Sequence, residues 1–343
     1  MTGSIGIPQL RLFALLVFVS ACATVAAQWW IGDATLYADG LVERRESAHN
    51  RVLHNASPEE SWDAVGAMGT NIRVVAVYVA EATRQVLGTD IRTTYKLLDS
   101  IYLFVASIAL VLYLRRWLPP TYCAIGMLYF WVLVTITYQG HAFHPWDRPS
   151  ILIWLLLLYA VHSNRIVLLF AAMPVAVAIK HDVIFVPALY FLAHVRRENF
   201  MRIVAISAAL GVVSIGTYIG LVIAFPGDPV GGGGLERIAR LVGQNLRVLA
   251  WMGPAWPPLL FHGAVTVLAL AGIFRRERFQ QASMVYGAVF LMVPWFLMSR
   301  FEEVRAHWPY FLLLLPPALL TLREWLEPES ARPALQHEKE GST

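Results

Sequence analysis

The chain has 343 residues, 57% of them hydrophobic and only 15% charged. Soluble domains carry about 25% charged residues, so composition excludes an ordinary soluble protein and points to an all-α, polytopic membrane helix bundle. The net charge of +4 is what cytoplasmic loops supply in membrane proteins, and it does not suggest nucleic acid as a partner.

Arg11 followed by the apolar stretch 12–19 reads as an uncleaved signal anchor. A cleaved signal peptide stays open, because Val19-Ser20-Ala21-Cys22 loosely mimics a lipoprotein cleavage box. Apolar segments lie at about 9–28, 97–114, 121–138, 150–162, 166–179, 183–195, 203–224, 257–274, 281–298 and 308–322. The expected architecture is therefore about ten transmembrane helices in a single domain, 1–326, with a disordered polar tail, 327–343, in the cytoplasm. The segments between 150 and 195 are short for a membrane of ~30 Å, which needs about 20 residues. Tilt, polar extension and partial re-entry all remain open for them.

Loop charge sets the orientation. With the N-terminus inside, the short inner turns carry Arg115, Arg116, Arg165, Arg196, Arg197, Arg202, Arg275, Arg276 and Arg278 against only Glu198 and Glu277. The short outer turns balance Arg148, Lys180, Arg300 and Arg305 with Asp147, Asp182, Glu302 and Glu303. Both termini are then cytoplasmic.

Two outer loops are longer. In the first, 29–96, the stretch 71–87 sets Arg73, Glu81, Arg84 and Gln85 opposite many valines and reads as an amphipathic interfacial helix. The runs Glu43-Arg44-Arg45-Glu46 and Glu59-Glu60 read as solvated helix faces. The second loop, 225–256, opens on Pro226-Gly227-Asp228-Pro229 and a glycine run, then repeats Leu235, Ile238, Leu241, Val242, Leu246 and Leu249 at helical spacing. No Lys-Ser/Thr follows the glycines, so they read as a hinge or linker rather than a phosphate loop. Cys22 and Cys123 are placed for neither a disulfide nor a zinc site.

Ionisable residues gather at the outer helix ends. Asp33 follows Trp29-Trp30-Ile31-Gly32 where the first helix leaves the membrane. His141-Ala-Phe-His144-Pro-Trp146-Asp147-Arg148-Pro149 packs two imidazoles, a carboxylate and a guanidinium into one turn. His141, His144 and Asp147 are weak candidates for a divalent metal. The alternative is a plain Asp147–Arg148 pair, with Trp146 in the interfacial belt. Lys180-His181-Asp182 offers a cation for a phosphate, or a Lys180–Asp182 pair. Arg300, Glu302, Glu303, Arg305 and His307 precede the last helix, where two guanidiniums can fork onto a phosphate or pair locally with the glutamates. Tryptophans 29, 30, 62, 146, 251, 256 and 308 fall near the outer face and read mostly as belt residues.

This layout resembles the GT-C class of membrane glycosyltransferases: many membrane helices, a long first outer loop bearing amphipathic helices, and an acidic residue just beyond the first helix. The resemblance covers the N-terminal two-thirds of the chain. It differs in that Ala34 follows Asp33 where the family often has an acidic pair, and in the lack of a large soluble C-terminal domain. It implies transfer of a sugar from a polyprenyl-phosphate donor to a glycan, lipid or protein acceptor on the periplasmic face of a bacterial inner membrane, in envelope glycan or glycolipid assembly. Asp33 and Asp147 would be catalytic. Trp146, Arg148, Lys180, His181, Arg300, Glu302, Arg305 and His307 would bind the donor and its departing phosphate. Two other classes stay open: a transporter or flippase for lipid-linked substrates, marked by an acid–base chain across the bilayer, and a non-catalytic partner of a polysaccharide assembly.

Overall fold

The computed structural model describes residues 7–34, 39–54, 72–136, 144–225, 234–251, 256–298 and 304–327. All regular structure among the described residues is helical. In chain order the helices are α1 (Ile7–Ala34), α2 (Asp39–His54), α3 (Val74–Leu87), α4 (Ile91–Leu114), α5 (Pro120–Ile136), α6 (Asp147–His162), α7 (Ile166–Ile179), α8 (Val186–His194), α9 (Phe200–Ala224), α10 (Gly234–Trp251), α11 (Trp256–Ala271), α12 (Arg278–Tyr286), α13 (Val293–Met298) and α14 (Trp308–Leu326). A 3-10 turn, His181–Phe185, leads into α8, and a π-helical segment, Gly287–Met292, joins α12 to α13.

Three helical stretches, Phe13–Ile31, Ile91–Leu114 and Arg197–Ala224, are long and apolar enough to cross a membrane. The apolar helices at 120–135, 166–179, 181–194 and 262–271 are shorter, and a 14-residue helix such as α7 rises only about 21 Å. By length and composition, three helices among the described residues are able to cross a membrane unaided. Only 11% of the apolar window of 197–224 is buried, and Val212, Ile215, Ile219 and Ile223 of α9 are exposed. Uncovered apolar surface of that length calls for non-aqueous surroundings.

The corner between α3 and α4 is written in local sequence. Gly88 takes the left-handed conformation (φ 63°) that ends α3. Asp90 then caps α4, its carboxylate accepting the Thr93 N–H at 2.7 Å. The second apolar helix therefore begins at Ile91, not near 97, and carries Lys96 and Asp99 on its first turns.

α4 packs antiparallel to α1, whereas α11 runs parallel to α14, with His262 beside His307 at one end and Gly272 beside Thr321 at the other. α4 lies along α1, with Phe104 edge-on to Phe18 at 6.1 Å and Ser100 accepting the Trp29 indole N–H at 2.6 Å. At one end the expected inner turns meet. A nitrogen of Arg116 lies 2.8 Å from His162, Trp117 donates to Glu277 at 2.8 Å, Arg276 pairs with Glu324, and Tyr122 donates to Glu327 at 3.2 Å. Residues 146–148, 180–182 and 307 start or end helices at the opposite end.

Two readings of the first outer loop need correction. The stretch around Arg45 forms a second helix, α2, and Arg45 is 3% exposed rather than solvated. In α3 one polar residue turns inward: Glu81 is buried beside Ala76, Val77 and Ala80, while Arg84 and Gln85 remain exposed with Val79, Val86 and Leu87. The reason is a partner on α2. His49 places Nε2 3.2 Å from Glu81, and Arg84 and Gln85 close on the same carboxylate at 2.7–2.8 Å. A buried carboxylate with this many donors is satisfied, so Glu81 joins Ala76, Val77 and Ala80 on the buried side of α3 while Arg84 and Gln85 stay exposed.

Candidate functional site

The site is built at the ends of α3, α6 and α7. α6 begins at a turn in which Asp147 Oδ2 accepts the His144 N–H at 3.0 Å and the Ser150 hydroxyl donates to the Asp147 carbonyl at 2.7 Å. An acidic residue in a first helical turn is stabilised by the backbone dipoles there. Trp146, Asp147 and Arg148 are all 2% exposed or less. Trp146 therefore belongs to the protein interior and not to an interfacial belt. Its ring carries His144 stacked at 4.9 Å and the Arg73 guanidinium at 4.5 Å.

α7 ends at Lys180, which is extended (φ −158°, ψ 121°) and throws the chain into the 3-10 turn. This places Lys180 and Asp182 on the same side of the turn, with Nζ 3.7 Å from Oδ2. Neither the Lys180 ammonium nor the Asp182 carboxylate closes a hydrogen bond of ordinary geometry among the described residues. Asp182 is the hub. Lys180, Arg73 and Asp147 lie within electrostatic reach of it, and the Trp154 indole N–H faces it without closing a regular bond. Arg73 also approaches His181 Nδ1, at 3.5 Å. Tyr286 is also within electrostatic reach of Asp182, with its ring 6.4 Å from that of Trp154. Buried groups left this way are what a polar ligand, an ion or ordered water would satisfy.

His307, at the start of α14, lies within electrostatic reach of Lys180, and its ring is 5.2 Å from that of His262 on α11. Both imidazoles are buried. The arc from His144 through Arg148, the Lys180 turn and His307 thus come to the same end of the bundle. His141, Arg300, Glu302 and Glu303 lie outside the described residues, as do the side chains of Asp33 and Arg305. Asp33 is in the last turn of α1, one turn past Trp29. Among the described residues no three His, Cys, Asp or Glu side chains gather around a metal position.

A second polar group holds the first outer loop down. Arg45 pairs with Asp99 at 2.9 Å inside the protein. His49 Nδ1 lies 2.8 Å from the Tyr95 hydroxyl, while its Nε2 faces Glu81. Lys96 sits over the Trp29 ring at 4.2 Å. Burial depresses the His49 pKa, and the Arg84 bond, with Gln85, pulls Glu81 down to about 2. α3 bridges the two groups: its start touches His181 and its middle touches His49.

Several of these residues were not selected from sequence. Arg73 reads as one member of a polar helix face, and Asp182 as a local partner of Lys180. Trp154, Tyr286 and His262 read as ordinary span residues. Asp99 carried a usable signal, since an ionisable side chain within an apolar run is by default a functional or structural anchor.

No protein-family model matches this chain, and neither a curated protein nor a solved structure is significantly similar to it.

Proposed function

We propose that the protein is a membrane glycosyltransferase of GT-C-like layout, moving a sugar from a polyprenyl-phosphate donor to an acceptor on the non-cytoplasmic side of a bacterial plasma membrane. One observation carries this reading. Lys180 holds a buried ammonium with no hydrogen-bond partner among the described residues, beside Asp182 and within reach of the Arg73 cluster. A lipid phosphate would bring the acceptor oxygens that this ammonium lacks. As the anomeric carbon leaves the phosphate, negative charge builds on the leaving group, and fixed cations stabilise it. Lys180 and Arg148 would hold the phosphate, and Asp147 or Asp33 would take the proton of the attacking hydroxyl. Trp146, His181 and His307 would line the donor, with Arg300, Glu302 and Arg305 closing the same rim. The arginine-rich opposite end supports a cytoplasmic placement for that face.

The test uses the purified protein in lipid nanodiscs. Polyprenyl phosphate is titrated against wild type and Lys180→Met, and radiolabelled polyprenyl-phosphate sugars are offered with envelope extracts as acceptor. Loss of one charge-assisted contact, about 1.5–3 kcal/mol, weakens lipid binding by roughly ten- to a hundredfold. Equal binding by the two proteins, or no transfer from any such donor, removes the assignment.

A further inference from the structure

α12 carries a polar side chain at every third position: Glu277 at its N-cap, then Gln280, Ser283 and Tyr286. Gln280, Ser283 and Tyr286 are 2% exposed or less. The Gln280 amide, the Ser283 hydroxyl and the Tyr286 hydroxyl have no hydrogen-bond partner among the described residues. A packed interior does not leave three successive polar groups unsatisfied on one helix unless something fills the gaps. Side chains three apart on a helix have Cβ atoms about 5–6 Å from each other, a span that one water bridges.

Both ends of this ladder reach ionisable groups. At the arginine-rich end Glu277 is half exposed and lies 3.2 Å from His162. At the other end Tyr286 lies within electrostatic reach of Asp182. The ladder climbs about 14 Å along the axis. It stops where the helix widens into the π-helical segment Gly287–Met292. Such bulges cluster at functional sites. There the backbone comes so close to α14 that a Cβ on Gly287 would sit 2.9 Å from the Tyr310 ring.

We infer that the Glu277–Gln280–Ser283–Tyr286 ladder is a water-bridged proton path between Asp182 and the opposite end of the bundle. Each hydroxyl or water accepts one proton as it passes on another, and the Gln280 amide holds the water between Glu277 and Ser283. The net change is one proton moved, with no other bond altered. The path stands whether the outer site transfers sugars or carries a lipid-linked substrate. Live proton flux with no sugar transfer would assign that site to transport while leaving the path intact.

The test is proton flux into liposomes holding the full chain and a trapped pH dye, driven by a potassium diffusion potential. Wild type is expected to outpace protein-free liposomes. Tyr286→Phe, which removes one hydroxyl at nearly constant volume, is expected to slow it about tenfold, the rate effect of one lost hydrogen-bonding rung. Ser283→Cys, in a chain with Cys22→Ser and Cys123→Ala, is expected to react with a membrane-impermeant methanethiosulfonate reagent. A wild-type rate equal to that of empty liposomes overturns the path. So does a Tyr286→Phe rate equal to wild type, or a Ser283→Cys thiol that stays unlabelled in correctly folded protein.

Discussion

Removing Asp99 tests the anchoring of the first outer loop. Arg45 and Asp99 meet at 2.9 Å with side chains 2% and 1% exposed. With an effective dielectric of ~20, that separation gives a gross attraction of about 6 kcal/mol. Desolvating both ions takes back most of it, so the pair adds little net stability over a well-packed apolar pair. Asp99→Ala is different, because it leaves a guanidinium buried beside the Tyr95 ring, which Arg45 overlies at 4.9 Å. The expected cost is about 3–5 kcal/mol. The double variant Arg45→Met/Asp99→Leu should recover all but about 1 kcal/mol, the share of the lost cation–π contact. Thermal unfolding of Asp99→Ala and of the double variant, each against wild type in nanodiscs, reads both costs. A cost below ~1 kcal/mol for Asp99→Ala, or a double variant as unstable as the single one, refutes the reasoning.

Acidification should loosen the contact between α2 and α3 in two stages. The His49 pKa lies below 6.5 in the fold because burial disfavours its charged form, so its contribution is complete above pH 6.5 and is lost as pH falls below that value. Glu81 titrates at about 2 instead of 4.5 because Arg84 and Gln85 hold its charged form, so its contribution is lost as pH falls from 4.5 toward 2. Protection factors of α2 and α3, taken against the intrinsic exchange rate at each pH, should therefore fall from pH 7.5 to pH 5 through His49, and a flat protection profile counts against the assignment. At the opposite end, a Cβ on Gly272 would collide with Thr321 Oγ1 and Arg276 Nη2. Gly272→Ala should break the 2.7 Å bond from Arg276 to Thr321 and disturb the Arg276–Glu324 pair, at a cost of about 2–3 kcal/mol. An unchanged unfolding temperature would show that the guanidinium has room to move.

Local sequence determined the helical class, the apolar runs and the charge asymmetry between the two ends. Each of these depends on composition or on spacing along a few turns. The α3–α4 corner is legible too, because Gly88 and Asp90 act on backbone groups within three residues of themselves. Burial of Arg45 and Glu81 was not legible. A guanidinium looks alike on a solvated face and in an ion pair until its partner 54 residues away is brought to it. The approach of Arg73 to His181 spans 108 residues, and it exists only because α3 lies across the end of α7. Amphipathic spacing says that a helix has two faces. Which residues at the border are buried depends on what the neighbouring helix offers, and on α3 His49 drew Glu81 inward from the polar side.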